Sequence, residues 1–182
     1  MKPEQITSQE KRICYEMAIQ VMEVFCKQNK MKMPVIKLSG KTNAPKGDYY
    51  KGVINCYIKG NAVPTKVPGY AWSYPGYKAD MTPYGVLLHE FGHYIHDYYF
   101  KPELNKLPKK ETVSSYEPNT GERVAETFKL FCGNPDLLRV LCPTRYNLLI
   151  QAGFKPVINK SWREVLSGAH KRYFEVIEKR LK

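Results

Sequence analysis

The sequence lacks any apolar run long enough to cross a bilayer, and its N-terminal residues 1–12 hold no apolar core of the kind that signal peptides carry. It also lacks C-x-x-C pairs, and its five cysteines are odd in number. An odd set without paired spacing is typical of free thiols in a reducing compartment. We therefore expect a cytoplasmic protein with no membrane partner, or one acting within a host cell if the chain is of phage origin.

Long basic runs are absent as well, since no run of lysine or arginine exceeds two residues. The total of 29 Lys and Arg against 17 Asp and Glu nevertheless gives a net charge of +12. A diffuse positive charge favours an acidic partner, such as nucleic acid or an acidic protein, although it also serves solubility. With 182 residues, of which 43% are hydrophobic, the chain is suited to a single globular domain over residues 1–182.

The first half of the chain predicts one helix followed by strands. Thr7 to Glu10 has the spacing of a capping box, and apolar residues then recur at helical spacing over residues 8–29. Strands are predicted at residues 35–38 and 49–58, with a bulge at Gly52. Residues 60–84 are rich in proline, glycine and aromatics, a composition that indicates a structured loop or an irregular edge strand.

The second half of the chain is predicted to be mostly helical. Thr82 and Pro83 have the cap and first-position chemistry of a helix that continues to about Phe100. The polar, proline-broken residues 101–120 predict a lid or binding loop. Further helices are predicted at residues 121–132, at 135–151 and from Ser161 onward. The expected class is α+β, mostly helical, with a small β-sheet before the central helix.

The central helix carries the pattern His89-Glu90-Phe91-Gly92-His93. Two histidines at i and i+4 lie one turn apart on one helix face, so both imidazoles can reach one zinc ion. Glu90 follows by about 100° of rotation, which places its carboxylate beside the ion, where it can accept a proton from the attacking water. The alternative is a helix whose two histidines face solvent or are hydrogen bonded in the core.

A catalytic zinc site needs a third protein ligand. A metzincin would place a histidine six residues after His93, but that position is Tyr99. His96 lies about 10 Å along the helix axis from His89, which excludes it, and His170 is a weak candidate. Glu122 is the better candidate, with Glu126 one turn later able to accept the free N–H of a ligand histidine. The spacing from Asn119 to Glu122 also fits a capping box, so Glu122 has two interpretations.

The segments HEFGHYIHDYY and SSYEPNTGERVAETF together are similar to the gluzincin pattern of the anthrax lethal-factor catalytic domain and related bacterial and phage metallopeptidases. The resemblance covers residues 84–132 and implies a zincin-like fold. It implies His89, His93 and Glu122 as zinc ligands, Glu90 as general base and Glu126 as the carboxylate that supports a ligand histidine. It also implies Tyr116 as the hydroxyl that stabilises the oxyanion, with Tyr94 and Tyr98 as rivals on the helix.

We therefore expect a zinc-dependent endopeptidase with one Zn²⁺ per chain that cleaves a protein or peptide substrate. An extended substrate would pair with an edge strand located between Tyr49 and Tyr74. The alternative is a basic module that binds nucleic acid or protein and retains a zincin fold. Its binding surface would then include the aromatic residues Tyr70, Trp72, Tyr74 and Tyr77.

Overall fold

A computed structural model describes residues 4–5, 8–39, 47–57, 62–63 and 83–157 of the chain. These residues form a mixed α+β structure. The helices are α1 (Ser8–Asn29), α2 (Pro83–Tyr98), α3 (Thr120–Gly133), α4 (Pro135–Leu141) and α5 (Pro143–Gln151). The strands are β1 (Glu4–Gln5), β2 (Val35–Ser39), β3 (Gly47–Tyr50), β4 (Val53–Tyr57) and β5 (Ala62–Val63). Within the described ranges, no helix is long and apolar enough to cross a membrane.

Several sequence predictions lie outside the described residues. They concern the Thr7 cap, the Thr82 cap, most of the aromatic segment 60–84 with its four named aromatics, the helix from Ser161, and His170. The predictions for α1, β2, α2 and α3 are confirmed within one or two residues at each end. Helix α2 ends at Tyr98 rather than at Phe100.

The three-stranded sheet has the order β2-β4-β3, in which β4 is parallel to β2 and antiparallel to β3. The prediction of one strand over residues 49–58 is therefore wrong. Lys51 and Gly52 have φ values of 45° and 81° and join β3 to β4 as a two-residue turn. Positive φ at both positions matches the twist of a tight hairpin, so Gly52 forms a reversal of the chain rather than a bulge.

The core lies where α1, α2 and α3 pack together. Phe25 of α1 makes edge-to-face contacts with Phe91 of α2 and with Phe128 and Phe131 of α3, at centroid distances of 5.7, 6.2 and 6.3 Å. Such aromatic pairs add to the free energy gained by burial alone. They fix α2 and α3 side by side, which decides where their polar faces meet.

The segment between α2 and α3, predicted as a lid or binding loop, is packed into the core rather than free of it as a lid would be. It begins with a 3₁₀ helix (Pro102–Lys106), and Leu104, Leu107 and Val113 are buried in the core. The guanidinium of Arg145, itself fully buried, donates to main-chain carbonyls of the segment at Pro108 and Glu111. Buried apolar side chains and hydrogen-bonded carbonyls make this segment part of the packed structure.

The single helix predicted for residues 135–151 is in fact two helices. Helix α4 ends at Leu141, Cys142 has an extended φ of −137°, and α5 begins at Pro143. Proline lacks a backbone N–H and disfavours helical geometry in the residue before it, so the break falls at this pair. The prediction failed because apolar periodicity continues across the break.

Candidate metal centre

Helix α2 presents both histidines of the H-E-x-x-H pattern on one face. The rings of His89 and His93 are 4.9 Å apart between centroids, as expected for residues one helical turn apart. His89 is buried and His93 is half-buried. The apolar face of the same helix packs against α1 and α3, so both imidazoles face a cleft from a rigid support.

Helix α3 brings Glu122 against the two histidines. Its Oε2 atom lies 3.0 Å from Nε2 of His89 and 3.4 Å from Nε2 of His93. The backbone N–H of Glu122 donates to Oδ1 of Asn119, which caps α3. Asn119 is thus the cap that the spacing predicts, while the Glu122 carboxylate faces the histidines. The two interpretations of Glu122 are compatible.

The close approach of α2 to α3 depends on a glycine. A Cβ atom at Gly92 would lie 2.6 Å from Cα of Ala125, far inside normal contact distance. Only a residue without a side chain lets the two helix backbones approach this closely. Gly92 lies between the two histidines on α2, and Ala125 lies three residues after Glu122 on α3, so this contact sets the separation across which the carboxylate reaches the imidazoles.

The three side chains have the donor set of a zinc site. One ligand atom from each of His89, His93 and Glu122 lies within 4.8 Å of the others. Oε2 of Glu122 is buried and accepts no hydrogen bond from the described residues. Two imidazole nitrogens and a carboxylate oxygen are the ligands of many hydrolytic zinc sites, and the polar neighbours of this buried oxygen are the two imidazoles. The residues present therefore fit a bound zinc ion.

Glu126, one turn beyond Glu122, orients His89 from behind. Its side chain is 1% exposed, and Oε1 lies 2.7 Å from Nδ1 of His89. Burial by itself raises the pKa of Glu126, but the charge of Lys129 and the hydrogen bond with His89 lower it to about 2. The ionised carboxylate accepts the Nδ1–H, which leaves Nε2 as the nitrogen that faces Glu122.

The charges of the cluster reinforce one another. The imidazoles of His89 and then of His93 lower the pKa of the Glu122 carboxyl to about 2. Burial lowers the pKa of His89, but Glu122 and Glu126 outweigh burial and raise it to about 9. In the metal-free protein the protonated form of His89 is therefore favoured, and it lies between the carboxylates of Glu122 and Glu126. A divalent cation would replace that proton.

Glu90 lies in the cleft beside the histidines. Burial raises the pKa of its carboxyl, and the charges of His89 and His93 lower it in part. Strand β3 passes close by, because a Cβ atom at Gly47 would lie 3.1 Å from Cγ of Glu90 and 2.5 Å from Cγ1 of Val86. A carboxyl of raised pKa is a better proton acceptor than an ordinary glutamate.

Tyr116 borders the same cleft. Its ring centroid is 5.7 Å from that of His89, and 52% of the residue is exposed. The negative charge of Glu122, followed by burial, raises the pKa of its hydroxyl, which keeps it a hydrogen-bond donor. Of its rivals, Tyr94 is buried and donates to the carbonyl of Lys32, and Tyr98 is not among the residues that line the cleft.

The cleft has a volume of about 600 Å³. Strand β3, helix α2, Tyr116 and Glu122 of α3 all contribute to its lining. Four carboxylates and no lysine or arginine are among the described lining residues, in contrast with the basic chain as a whole. The lining residues are Gly47, Asp48, Tyr49, His89, Glu90, His93, His96, Asp97, Phe100, Tyr116 and Glu122.

Sequence reasoning missed several polar residues of this region. Asp48 accepts hydrogen bonds from Asn55 and Tyr57, and Asp97 accepts one from Tyr49 at 2.6 Å. The spacing of Asp97, four residues after His93, could have indicated its place on the cleft side of α2. Asp48 depends on the pairing of β3 with β4, which no local pattern reveals.

Comparisons of the chain with protein-family models, with curated proteins and with solved structures found no match. The assignment of a function therefore depends on the geometry and chemistry of the cleft.

Proposed function

We propose that this chain is a zinc-dependent endopeptidase with a zincin-like fold. The observation that carries the proposal is the convergence of His89, His93 and Glu122 beside Glu90. Two histidines from one helix and a glutamate from the next would hold a single zinc ion and leave a coordination position open. The small sheet before α2 and the ligand glutamate on α3 are consistent with this fold.

When bound, a zinc ion in this position supplies Lewis-acid chemistry that acidifies a water molecule and polarises a peptide carbonyl. Glu90 accepts the proton of the attacking water, for which its raised pKa suits it. The same carboxyl then donates that proton to the nitrogen of the leaving amine. Glu126 holds His89 in one tautomer and ring orientation while the proton moves.

The Tyr116 hydroxyl stabilises the oxyanion of the tetrahedral intermediate by donating a hydrogen bond to it. Its place at the rim, about half exposed, lets it reach a substrate carbonyl without displacing a buried partner. Strand β3 is an edge of the described sheet and lines the cleft, so an extended peptide could add to it through main-chain hydrogen bonds. This proposal uses strand Gly47–Tyr50, which begins two residues before the segment Tyr49–Tyr74 in which the edge strand was expected.

The first test measures bound metal in wild-type protein, Glu122→Ala and Glu103→Ala by elemental mass spectrometry. We expect about one zinc per chain in the wild type and in Glu103→Ala, whose glutamate is half-buried and is not among the residues that line the cleft. Zinc should be lost or sharply reduced in Glu122→Ala. Equal zinc in all three proteins would exclude Glu122 as a ligand.

The second test uses Glu90→Gln with a library of fluorogenic peptides. The variant should retain zinc and lose cleavage by a factor of about 10²–10⁴, because it keeps the shape of the side chain and removes the base. Tyr116→Phe should lower kcat by about 10²-fold or more and leave zinc content unchanged. Full peptidase activity in Glu90→Gln would refute the mechanism.

The net charge of +12 supports a second candidate, a basic module that binds nucleic acid or an acidic protein. The carboxylate-lined cleft disfavours binding of a phosphate backbone there. Any such partner would therefore bind elsewhere on the surface. Affinity for single-stranded DNA that falls steeply with salt, in a protein without peptidase activity, would favour this function.

A further inference from the structure

Glu126 receives three donors, of which only one is the candidate ligand His89. The imidazole contacts Oε1, whereas Nζ of Lys129 and Oγ of Ser114 both contact Oε2, at 2.7 Å and 2.5 Å. Lys129 is fully buried and Ser114 is 2% exposed. The two oxygens of one carboxylate thus have separate partners, and both partners of Oε2 are held in the protein interior.

A buried lysine–glutamate pair adds little stability compared with apolar residues of the same size. Its effect here is geometric, because two donors on Oε2 fix the plane of the carboxylate and direct Oε1 toward Nδ1 of His89. The imidazole then presents Nε2 to Glu122 in a fixed direction. A carboxylate free to rotate would hold the imidazole less firmly.

Ser114 is itself fixed by a second set of contacts. The backbone N–H groups of Val113 and Ser114 donate to Oε1 of Glu117, and Oε2 of Glu117 accepts from the buried Arg145. The Ser114 hydroxyl also accepts the backbone N–H of Tyr116 at 3.1 Å. One hydroxyl therefore links the tyrosine at the cleft rim to the carboxylate behind His89.

We propose that Lys129 and Ser114 are positioning residues of the metal centre, which act on His89 through Glu126. The inference rests on the proposed zinc site. Neither side chain contacts zinc or substrate. Both set the orientation in which His89 binds the ion, and Ser114 couples that orientation to the position of Tyr116.

The test measures the dissociation constant for Zn²⁺ by competition with a chromophoric chelator, in Lys129→Met, Ser114→Ala and Glu126→Gln. Loss of a carboxylate behind a ligand histidine typically weakens metal binding by about 10–100-fold. We expect that effect for Glu126→Gln and a weakening of about 3–10-fold for each of the other two, which act one contact further from the ion.

Combining the substitutions distinguishes a positioning role of Lys129 and Ser114 from a purely structural role. In the Glu126→Gln background, Lys129→Met and Ser114→Ala should change zinc affinity no further, because the group through which they act has been altered. Cys132→Ala is the matched control, since it removes a buried side chain one turn beyond Lys129 on α3. It should lower thermal stability and leave zinc affinity unchanged.

A second measurement, on the metal-free protein, follows the ring proton of His89. In the metal-free protein the Nδ1–H proton of His89 should be protected from exchange and visible by NMR, and both single variants should exchange it faster. Unchanged affinity and exchange in folded single variants, or additive effects in the Glu126→Gln background, would overturn the inference and leave the peptidase proposal standing. A folded wild type that binds no zinc would overturn both.

Discussion

Helix α3 contributes to two buried polar clusters that differ in how completely their groups are paired. In the first, all three guanidinium nitrogens of Arg145 donate to Pro108, Glu111, Glu117 or Thr127. In the second, Oε2 of Glu122 is buried beside His89 and His93 and accepts no hydrogen bond from the described residues. Buried polar groups are normally paired, so an unpaired one needs an explanation. The first cluster is fully hydrogen bonded and structural, whereas the buried oxygen of the second has two imidazoles as neighbours, an arrangement that a bound cation would complete.

The largest expected effect comes from a substitution that disrupts the structural cluster around Arg145. Arg145→Met should lower the free energy of unfolding by about 3–5 kcal/mol, because Glu117 is left as a buried charge without its partner. Glu122→Gln in the metal-free protein should cost less, because His89 keeps the carboxylate of Glu126 as a partner. Urea denaturation of both metal-free variants checks this. Equal losses would mean that the two clusters do not differ in the way proposed.

The next largest expected effect is the stabilisation of the folded protein by zinc bound at the second cluster. Zinc at about 1,000 times its dissociation constant should raise the free energy of unfolding by about 4 kcal/mol, because only the folded protein holds the three ligands together. The gain should disappear in Glu122→Ala and persist in Glu103→Ala. Thermal or urea denaturation with and without zinc measures it, with Mg²⁺ as the control ion. A gain of the same size in Glu122→Ala would place the zinc elsewhere.

A smaller effect is expected from a substitution that pushes apart α2 and α3, the two helices that carry the candidate ligands. Gly92→Ala should cost about 1–3 kcal/mol, because the added methyl group would overlap the Ala125 backbone. Zinc affinity should fall as well, since α3 carries Glu122. Gly121→Ala on α3 is the comparison variant, because its Cβ would meet only Oδ1 of Asn119, at 3.3 Å, and no atom of α2. Equal zinc affinity in wild type and Gly92→Ala would show that the crossing does not set the ligand geometry.

The parts of the centre that lie on one helix could be predicted from the sequence, and the parts that join segments could not. His89, Glu90 and His93 follow from helical spacing alone, whereas spacing left Glu122 with two interpretations and the resemblance then implied it as a ligand. The pairing of Ser114 with Glu126 and of Arg145 with Glu117 depends on tertiary packing, so no local pattern contains it. The predictions of one strand across Lys51 and of one helix across Pro143 failed for a related reason. Apolar and aromatic residues continue on both sides of each interruption, but the backbone chemistry at the interruption decides the local structure.

A pH dependence belongs to the second cluster alone and is small per pH unit. The pKa of His89 is about 9 in the folded metal-free protein, above its ordinary value of 6.5, because Glu122 and Glu126 favour the imidazolium over the effect of burial. A raised pKa contributes stability that is fully present below pH 6.5 and is lost as pH rises through 9. Between these values the free energy of unfolding should fall by at most about 1.4 kcal/mol per pH unit. Urea denaturation of metal-free protein at several pH values measures the slope.

Zinc should abolish that slope, because the ion replaces the proton on Nε2 of His89. Binding at pH 7.5 should correspondingly release about one proton, which calorimetry in buffers of different ionisation enthalpy detects. Glu126→Gln removes one of the two carboxylates that raise the pKa, so it should flatten the slope of the metal-free protein. Arg145 and Glu117 lie in the paired cluster and do not face His89, so the slope should survive in Arg145→Met if that variant folds. A slope that persists with zinc bound would assign the proton to a group outside the centre.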